Sequence, residues 1–278
     1  MNRKKKHYRR ALTIAGSDPS GGAGIQADLK TFSACGCFGA SAIVAVVDEN
    51  TVGVTGVHPV PAAFVAGQIT SVLDDIGADA VKIGMLHSSE LIRTVKETLS
   101  AYPVKNIVLD PVMVATSGDK LLQDEAVAAL KNELVPLARV ITPNLPEAEV
   151  LLGRRINGWH EFPHAARELS ANRRVSVLLK AGHLNGEMLT DVFYNAETDE
   201  IIELSSKRIH TKNTHGTGCT LSSAIAAFLA HGMSLGDAVR HAKEYTESAI
   251  AAGAEYEIGR GHGPVHHFFR FWNDANND

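Results

Sequence analysis

The chain has 278 residues, and no apolar run in it approaches the roughly 20 residues that a membrane-spanning helix needs. No signal-peptide core follows its start, because Gly16-Ser17-Asp18 interrupts the short apolar run Ala11–Ala15. Cysteine is scarce. Cys35, Cys37 and Cys219 are too few for a disulfide framework, and the first two lack a second pair to complete a metal site. The cytoplasm is the expected compartment. A strong excess of one charge is also missing: the formal net charge is −4, which gives no general case for nucleic-acid binding. Basic residues cluster at the start, in Arg3, Lys4, Lys5, Lys6, Arg9 and Arg10. Residues 1–10 are read as a solvated, flexible tail without a nucleic-acid or membrane partner. The histidines, His266 and His267 among them, lack metal-site spacing and receive no catalytic role. With no linker, low-complexity segment or fixed-period repeat, residues 11–278 are expected to form one domain.

Two nucleotide-binding fingerprints are absent as well. Gly16 and Gly21 have P-loop spacing, but Gly22 and Ala23 stand where Lys and Ser/Thr are required. Gly22-Ala23-Gly24 is not continued as G-x-G-x-x-G. The glycines of this first loop serve a tight turn, or let the backbone approach a ligand closely.

What is present is alternation. Short apolar runs at Ala11–Ala15, Ser41–Val47, Ala80–Ile83, Ile107–Leu109, Val140–Thr142 and Val177–Leu179 read as buried strands. Helical spacing fills Gly24–Ala34, Ala62–Ile76, Ser89–Ala101, Glu125–Leu134 and Pro163–Ala171. Gly53–Val60, Asp191–Tyr194 and Ile201–Leu204 add strands, with a hairpin turn at Asn195–Glu200 between the last two. Helices at about Gly218–His231 and Leu235–Ala252 close the chain. This predicts a three-layer αβα fold around a mostly parallel sheet.

Ligands of such sheets lie beyond the carboxyl ends of the strands. Ser17 and Asp18 follow the first strand, Asp48, Glu49 and Asn50 the second, and Lys82, Asp110, Asn144 and Lys180 sit at four others. Each one alone is an ordinary turn former or cap; six polar strand ends on one edge suggest a site. In Asn144-Leu145-Pro146-Glu147 two readings stay open: a helix cap, or an oxygen pair for a hydrated magnesium ion. Lys180 is either a surface lysine or a partner for phosphate. Thr214-His215-Gly216-Thr217-Gly218-Cys219 opens a helix, whose free N–H groups and positive dipole end suit an anion. A thiol in that first turn is either a small packing residue or a base or nucleophile, since helix N-termini lower a thiol's pKa.

These motifs, in this order, resemble the hydroxymethylpyrimidine/phosphomethylpyrimidine kinases of the ribokinase-like superfamily. The resemblance runs from about Ala11 to Phe269. It includes Gly21-Gly22-Ala23-Gly24-Ile25-Gln26-Ala27-Asp28, Val81-Lys82-Ile83-Gly84-Met85-Leu86, Leu109-Asp110-Pro111-Val112-Met113, Thr142-Pro143-Asn144-Leu145-Pro146-Glu147, Gly216-Thr217-Gly218-Cys219 and Gly261-His262-Gly263-Pro264-Val265. It implies an ATP- and magnesium-dependent enzyme of thiamine biosynthesis, a homodimer acting on a small pyrimidine. Carried over by position, Gly16, Ala23, Asp28, Glu49, Met85 and Val112 line the pyrimidine pocket. Asp110 and Glu147 serve the metal, while Lys180, Asn144 and Thr217 serve the nucleotide. The amides from Gly216 through Cys219 form the anion hole, and Cys219 is the proton acceptor.

One departure stands out. The family pattern Ala-Gln-Asn-Thr is Asp48-Glu49-Asn50-Thr51 here, so a pocket amide becomes a carboxylate that only accepts. Retained aminopyrimidine binding with altered pH dependence is expected. The rival readings are a vitamin B6 kinase and an inactive vitamin or nucleotide sensor.

Overall fold

The computed structural model describes residues 6–113, 124–182, 184 and 186–272. Its main sheet contains β1 (Arg10–Ala15), β2 (Phe38–Ile43), β5 (Ala80–Ile83), β6 (Ile107–Leu109), β7 (Val140–Ile141), β8 (Ser176–Leu179), β9 (Met188–Asn195) and β10 (Glu200–Lys207). The spatial order is β10-β9-β8-β7-β6-β5-β1-β2. Pairing is parallel from β2 through β8 and antiparallel for β8–β9 and β9–β10. A separate antiparallel pair is formed by β3 (Ala45–Asn50) and β4 (Gly53–Pro59).

Period-2 alternation assigns the two faces. Leu12, Ile14, Val81, Ile83, Ile107, Leu109, Val177 and Leu179 belong to one core. That core also holds residues of α2 (Ala62–Asp75), α3 (Ser89–Ser100), α4 (Asp124–Ala129), α5 (Leu145–Leu152) and α6 (Phe162–Leu169). Between those strand residues, Ala11, Ala80, Val108 and Leu178 face the other core. There they meet residues of α1 (Gly24–Ala34), α7 (Thr217–Ala230) and α8 (Leu235–Gly253). The second face is built from smaller side chains. Ala11 and Ala80 on the strands and Ala224, Ala226 and Ala227 on α7 are all essentially inaccessible. A helix with such a surface lies close to its neighbours, which fixes where its N-terminus falls.

Among the boundaries that differ from the sequence reading, three stand out. The run Ser41–Val47 is two strands in two sheets. The Gln68 side chain takes both backbone groups of Ile43, accepting from its N–H at 2.9 Å and donating to its carbonyl at 3.0 Å. Past that point the chain leaves β1, and β3 pairs with β4 instead. Asp48, Glu49 and Asn50 therefore lie within β3, not beyond a strand end, and a bulge falls between Asp48 and Glu49. The stretch Glu125–Leu134 is α4 followed by a π turn, Leu130–Leu134. Arg10, placed with the basic tail, opens β1 and pairs with Asp79 at 2.7 Å. Arg3, Lys4 and Lys5 lie outside the described residues.

The close packing of α7 makes it intolerant of bulk. Ala224→Leu is expected to cost about 1–3 kcal/mol by overpacking, read as a lower denaturant midpoint at unchanged slope.

Candidate active site

A cavity of about 730 Å³ opens at the carboxyl edge of the parallel strands. That size falls in the ordinary range for small-molecule sites. Every predicted site residue except Asp28 lines it: Gly16, Ala23, Glu49, Met85, Asp110, Val112, Asn144, Glu147, Lys180, Gly216, Thr217, Gly218 and Cys219. Asp28 is a correction. It is inaccessible, and its carboxylate is already engaged by Thr13 Oγ1 at 2.6 Å, Ser223 Oγ at 2.6 Å and Lys82 Nζ at 2.8 and 2.9 Å. It stands behind the cavity wall and holds Lys82, which does line the cavity.

Two loops from opposite ends of the sequence build the anion-binding end. Gly216 has φ +75, and a Cβ there would run into the Gly22 carbonyl. Only glycine suits a position that is both left-handed and in contact with backbone. The Thr217 hydroxyl and N–H both turn back onto the Thr214 carbonyl, at 2.8 and 3.3 Å, so the turn presents its other backbone amides. They open a 14-residue helix. Asp18 ties the two loops together. Its carboxylate accepts from the N–H groups of Ser20 (2.8 Å), Gly22 (3.0 Å) and Ala23 (2.6 Å), and pairs with His215 Nε2 at 2.9 Å. Glu49 reaches the same imidazole at 4.0 Å. Burial opposes charge on His215, but the Asp18 hydrogen bond and the two carboxylates outweigh it and raise its pKa. Burial likewise opposes ionisation of Asp18, yet His215, Ser20 and Ala23 hold its carboxyl well below the usual range.

The middle of the cavity carries a row of alternating charge. Asp110 accepts from Thr142 Oγ1 at 2.8 Å and from Lys180 Nζ at 3.1 Å. Lys180 and Lys82 overcome the burial penalty and keep the Asp110 carboxyl below its ordinary pKa. Glu147 closes a full capping box on α5: its Oε2 accepts from Asn144 N–H at 2.8 Å, and Asn144 Oδ1 accepts from Glu147 N–H at 2.9 Å. The capping reading of this pair is thus realised, but it does not consume the carboxylate. Burial, with Asp110 adding to it and Lys180 opposing it, pushes the Glu147 carboxyl up to about 7. Two buried carboxylates share one lysine, and the hard oxygen set has room for a divalent cation's charge, which fits magnesium.

Cys219 reverses one expectation. Helix position alone would lower its pKa, yet burial pushes the thiol up to about 11, with Lys82 pulling the other way. Desolvation in this wall outweighs the macrodipole. Beyond the lysines, Lys243 pairs with Asp191 at 2.7 Å and Glu247 at 3.1 Å, and Asp191 accepts from Ala181 N–H at 2.7 Å. Sequence reasoning missed Asp18, Lys82, Asp191, His215 and Lys243 as site residues. Asp18 and Lys82 carried the strand-end signal; the other three carried none.

The hairpin bearing Glu49 is clamped from outside. The Thr51 carbonyl accepts from His262 N–H at 2.8 Å, and Thr51 Oγ1 accepts from Gly261 N–H at 3.2 Å.

A parallel sheet, amides at a helix N-terminus, lysines among carboxylates and an acceptor-sized pocket together define a ribokinase-like small-molecule kinase. Residues 18–266 match the family model described as phosphomethylpyrimidine kinase. A hydroxymethylpyrimidine/phosphomethylpyrimidine kinase of Rhizobium meliloti is 52% identical over 267 residues, covering 95% of this chain and 98% of the relative. One of Escherichia coli is 48% identical over 263 residues, covering 94% and 98%. The crystal structure of a Bacillus subtilis pyridoxal kinase with ADP superposes with a TM-score of 0.85 at 38% identity, covering 95% and 99%. The chain belongs to the phosphomethylpyrimidine kinase family.

The Asp18–His215 tie has a defined pH window. His215's raised pKa means its contribution is complete below its unfolded value near 6.5 and is lost as pH rises through the higher folded value. Asp18's lowered pKa means its contribution is present above about 3.9 and is lost in acid. His215→Asn should therefore be less stable than the parent near pH 6, with the gap narrowing towards pH 9; chemical denaturation at both pH values measures it.

Proposed function

We infer that this chain uses ATP to phosphorylate the hydroxymethyl group of 4-amino-5-hydroxymethyl-2-methylpyrimidine, and then phosphorylates the resulting monophosphate, in thiamine biosynthesis. The observation that carries this reading is the family match over most of the chain, on a cavity with an anion-binding turn at its centre. The ADP complex of the Bacillus subtilis neighbour supports a nucleotide as phosphoryl donor. We extend the reading to a cytoplasmic homodimer, as the family resemblance implies. Among the described residues no helix is long and apolar enough to cross a membrane.

The residues divide the work of an in-line transfer, in which alignment and charge neutralisation do most of the catalysis. Gly16, Ala23, Met85 and Val112 wall the acceptor, and Glu49 accepts from its amino edge. Lys180 and Asn144 hold the donor phosphates. Asp110 and Glu147 would hold magnesium, which supplies neutralisation of phosphate charge when bound. The amides of Gly216, Thr217 and Gly218 receive the transferred group. Cys219, once ionised, takes the proton of the attacking hydroxyl, whose freed electron pair forms the new bond to phosphorus as the donor's bridging oxygen departs with its own pair.

Incubation with ATP, magnesium and the hydroxymethylpyrimidine should yield monophosphate and then diphosphate by chromatography and mass spectrometry. Pyridoxal run in parallel tests the vitamin B6 reading, and product from pyridoxal alone would overturn ours. Cys219→Ala should lower kcat by about 10²–10⁴ as loss of a general base, with KM for both substrates nearly unchanged. Full turnover in that variant would remove Cys219 from the mechanism.

A further inference from the structure

Lys180, the cation assigned to the donor phosphates, stands just past the point where the sheet holds its strand. β8 ends at Leu179, and Leu179 with Val192 is the last pair of its ladder with β9. Two backbone donors carry the chain onward. Lys180 N–H donates to the Pro143 carbonyl at 2.9 Å. The next N–H, of Ala181, finds no strand carbonyl and donates to the Asp191 side chain, with Oδ1 at 2.7 Å. Ala181 and Asp191 are both buried, so solvent offers no substitute acceptor. A buried N–H without an acceptor is costly, and the chain would shift to find one.

Asp191 is itself held. Its second oxygen, Oδ2, accepts from Lys243 Nζ at 2.7 Å, and Lys243 also meets Glu247 at 3.1 Å. With one oxygen on the Ala181 N–H and the other on Lys243, the carboxylate cannot rotate freely. A side chain of β9 and one of α8 thus set the main chain beside Lys180, while Asp110 holds the Lys180 ammonium at 3.1 Å. Asp191 and Lys243 line the same cavity as Lys180, yet the reaction described above gives them no task.

We propose that Asp191, seated by Lys243, is a positioning residue for the donor nucleotide: it fixes the main chain at Ala181 and thereby places the Lys180 ammonium for the phosphates. This rests on Lys180 binding the donor. No proton or bond passes through Asp191. Its charge and its position act in opposite directions. A carboxylate in the cavity repels phosphate, so deleting it would tighten nucleotide binding if charge were its whole effect. Loss of position weakens binding instead.

The test is ADP affinity of full-length variants by isothermal titration calorimetry, with KM measured for ATP and for the hydroxymethylpyrimidine. Asp191→Ala should weaken ADP about tenfold and raise KM for ATP by a similar factor, since small misplacements of a binding group are costly. KM for the pyrimidine should stay within about twofold; a merely structural role would lower the active fraction, hence apparent kcat, and leave both KM values unchanged. Asp191→Asn keeps an acceptor oxygen for the Ala181 N–H and should bind ADP at least within about threefold of the parent. Adding Asp191→Ala to Lys180→Ala should cost less than about threefold more, because residues that act through one another are not additive.

Removing one partner of a buried pair strands the other. If Asp191→Ala fails to fold, judged by thermal melting, the same substitution in a Lys243→Met background, compared with Lys243→Met alone, carries the same expectation. Parental or tighter ADP binding in folded Asp191→Ala, equal losses in the Ala and Asn variants, or losses that multiply with Lys180→Ala overturn the proposal. A parent chain that binds no ADP and forms no phosphorylated pyrimidine overturns the assigned reaction instead. An active parent beside an Asp191→Ala variant with parental ADP affinity removes only the positioning role.

Discussion

One carboxylate holds the site together. Asp18 binds the amides of its own loop and the imidazole of a residue 197 positions away. Closing so long a separation is entropically unfavourable, and a buried, charge-assisted pair is among the stronger local offsets. The anion-binding turn is usable because of this tie. The glycine loop and the start of α7 also approach each other at the backbone of Gly22 and Gly216. The sheet places both loops near one edge; Asp18 sets their register against each other.

Charge is then graded along the cavity. The Asp18–His215–Glu49 group lies at one end and Lys243 with Asp191 and Glu247 at the other, with lysines and carboxylates alternating between them. Burial is the largest influence on each of the buried groups in the middle, with charged neighbours next. That is the reason Cys219 has a raised pKa at a helix N-terminus. Position on a helix contributes a fraction of a charge at a distance, whereas burial removes solvation from the whole thiolate.

Much of the fold was legible because the signals are local. Helix α1 at Gly24–Ala34 and strand β5 at Ala80–Ile83 follow from apolar spacing and their flanking glycines and polar residues. The split of Ser41–Val47 was not legible, because it depends on the Gln68 amide, 25 residues on, capturing Ile43. The cavity lining could be read where residue type and strand end coincide, as at Asp110 and Lys180. Asp28 looks like a binding residue from its motif; its occupation by Lys82, 54 residues away, is visible only in three dimensions. His215 had no signal of its own, since a histidine beside a glycine turn gains meaning only from a distant partner.

The hairpin that carries Glu49 lies outside the main sheet, though Ala45 and Val47 of β3 are buried in one of its cores. It forms its own two-stranded sheet and is clamped at Thr51 by the loop at Gly261 and His262. It is also tied to the first loop: Ser17 N–H donates to the Ala45 carbonyl at 2.9 Å, Val47 N–H donates to Ser17 Oγ at 3.0 Å, and Glu49 reaches His215 at 4.0 Å. Because β3 and β4 pair with each other and not with the main sheet, a change at Glu49 alters the acceptor wall with the parallel strand pairings left in place. A fold divided in this way lets acceptor preference drift while the transfer machinery stays fixed, so neighbours that share the chemistry can come to differ in the vitamin they accept.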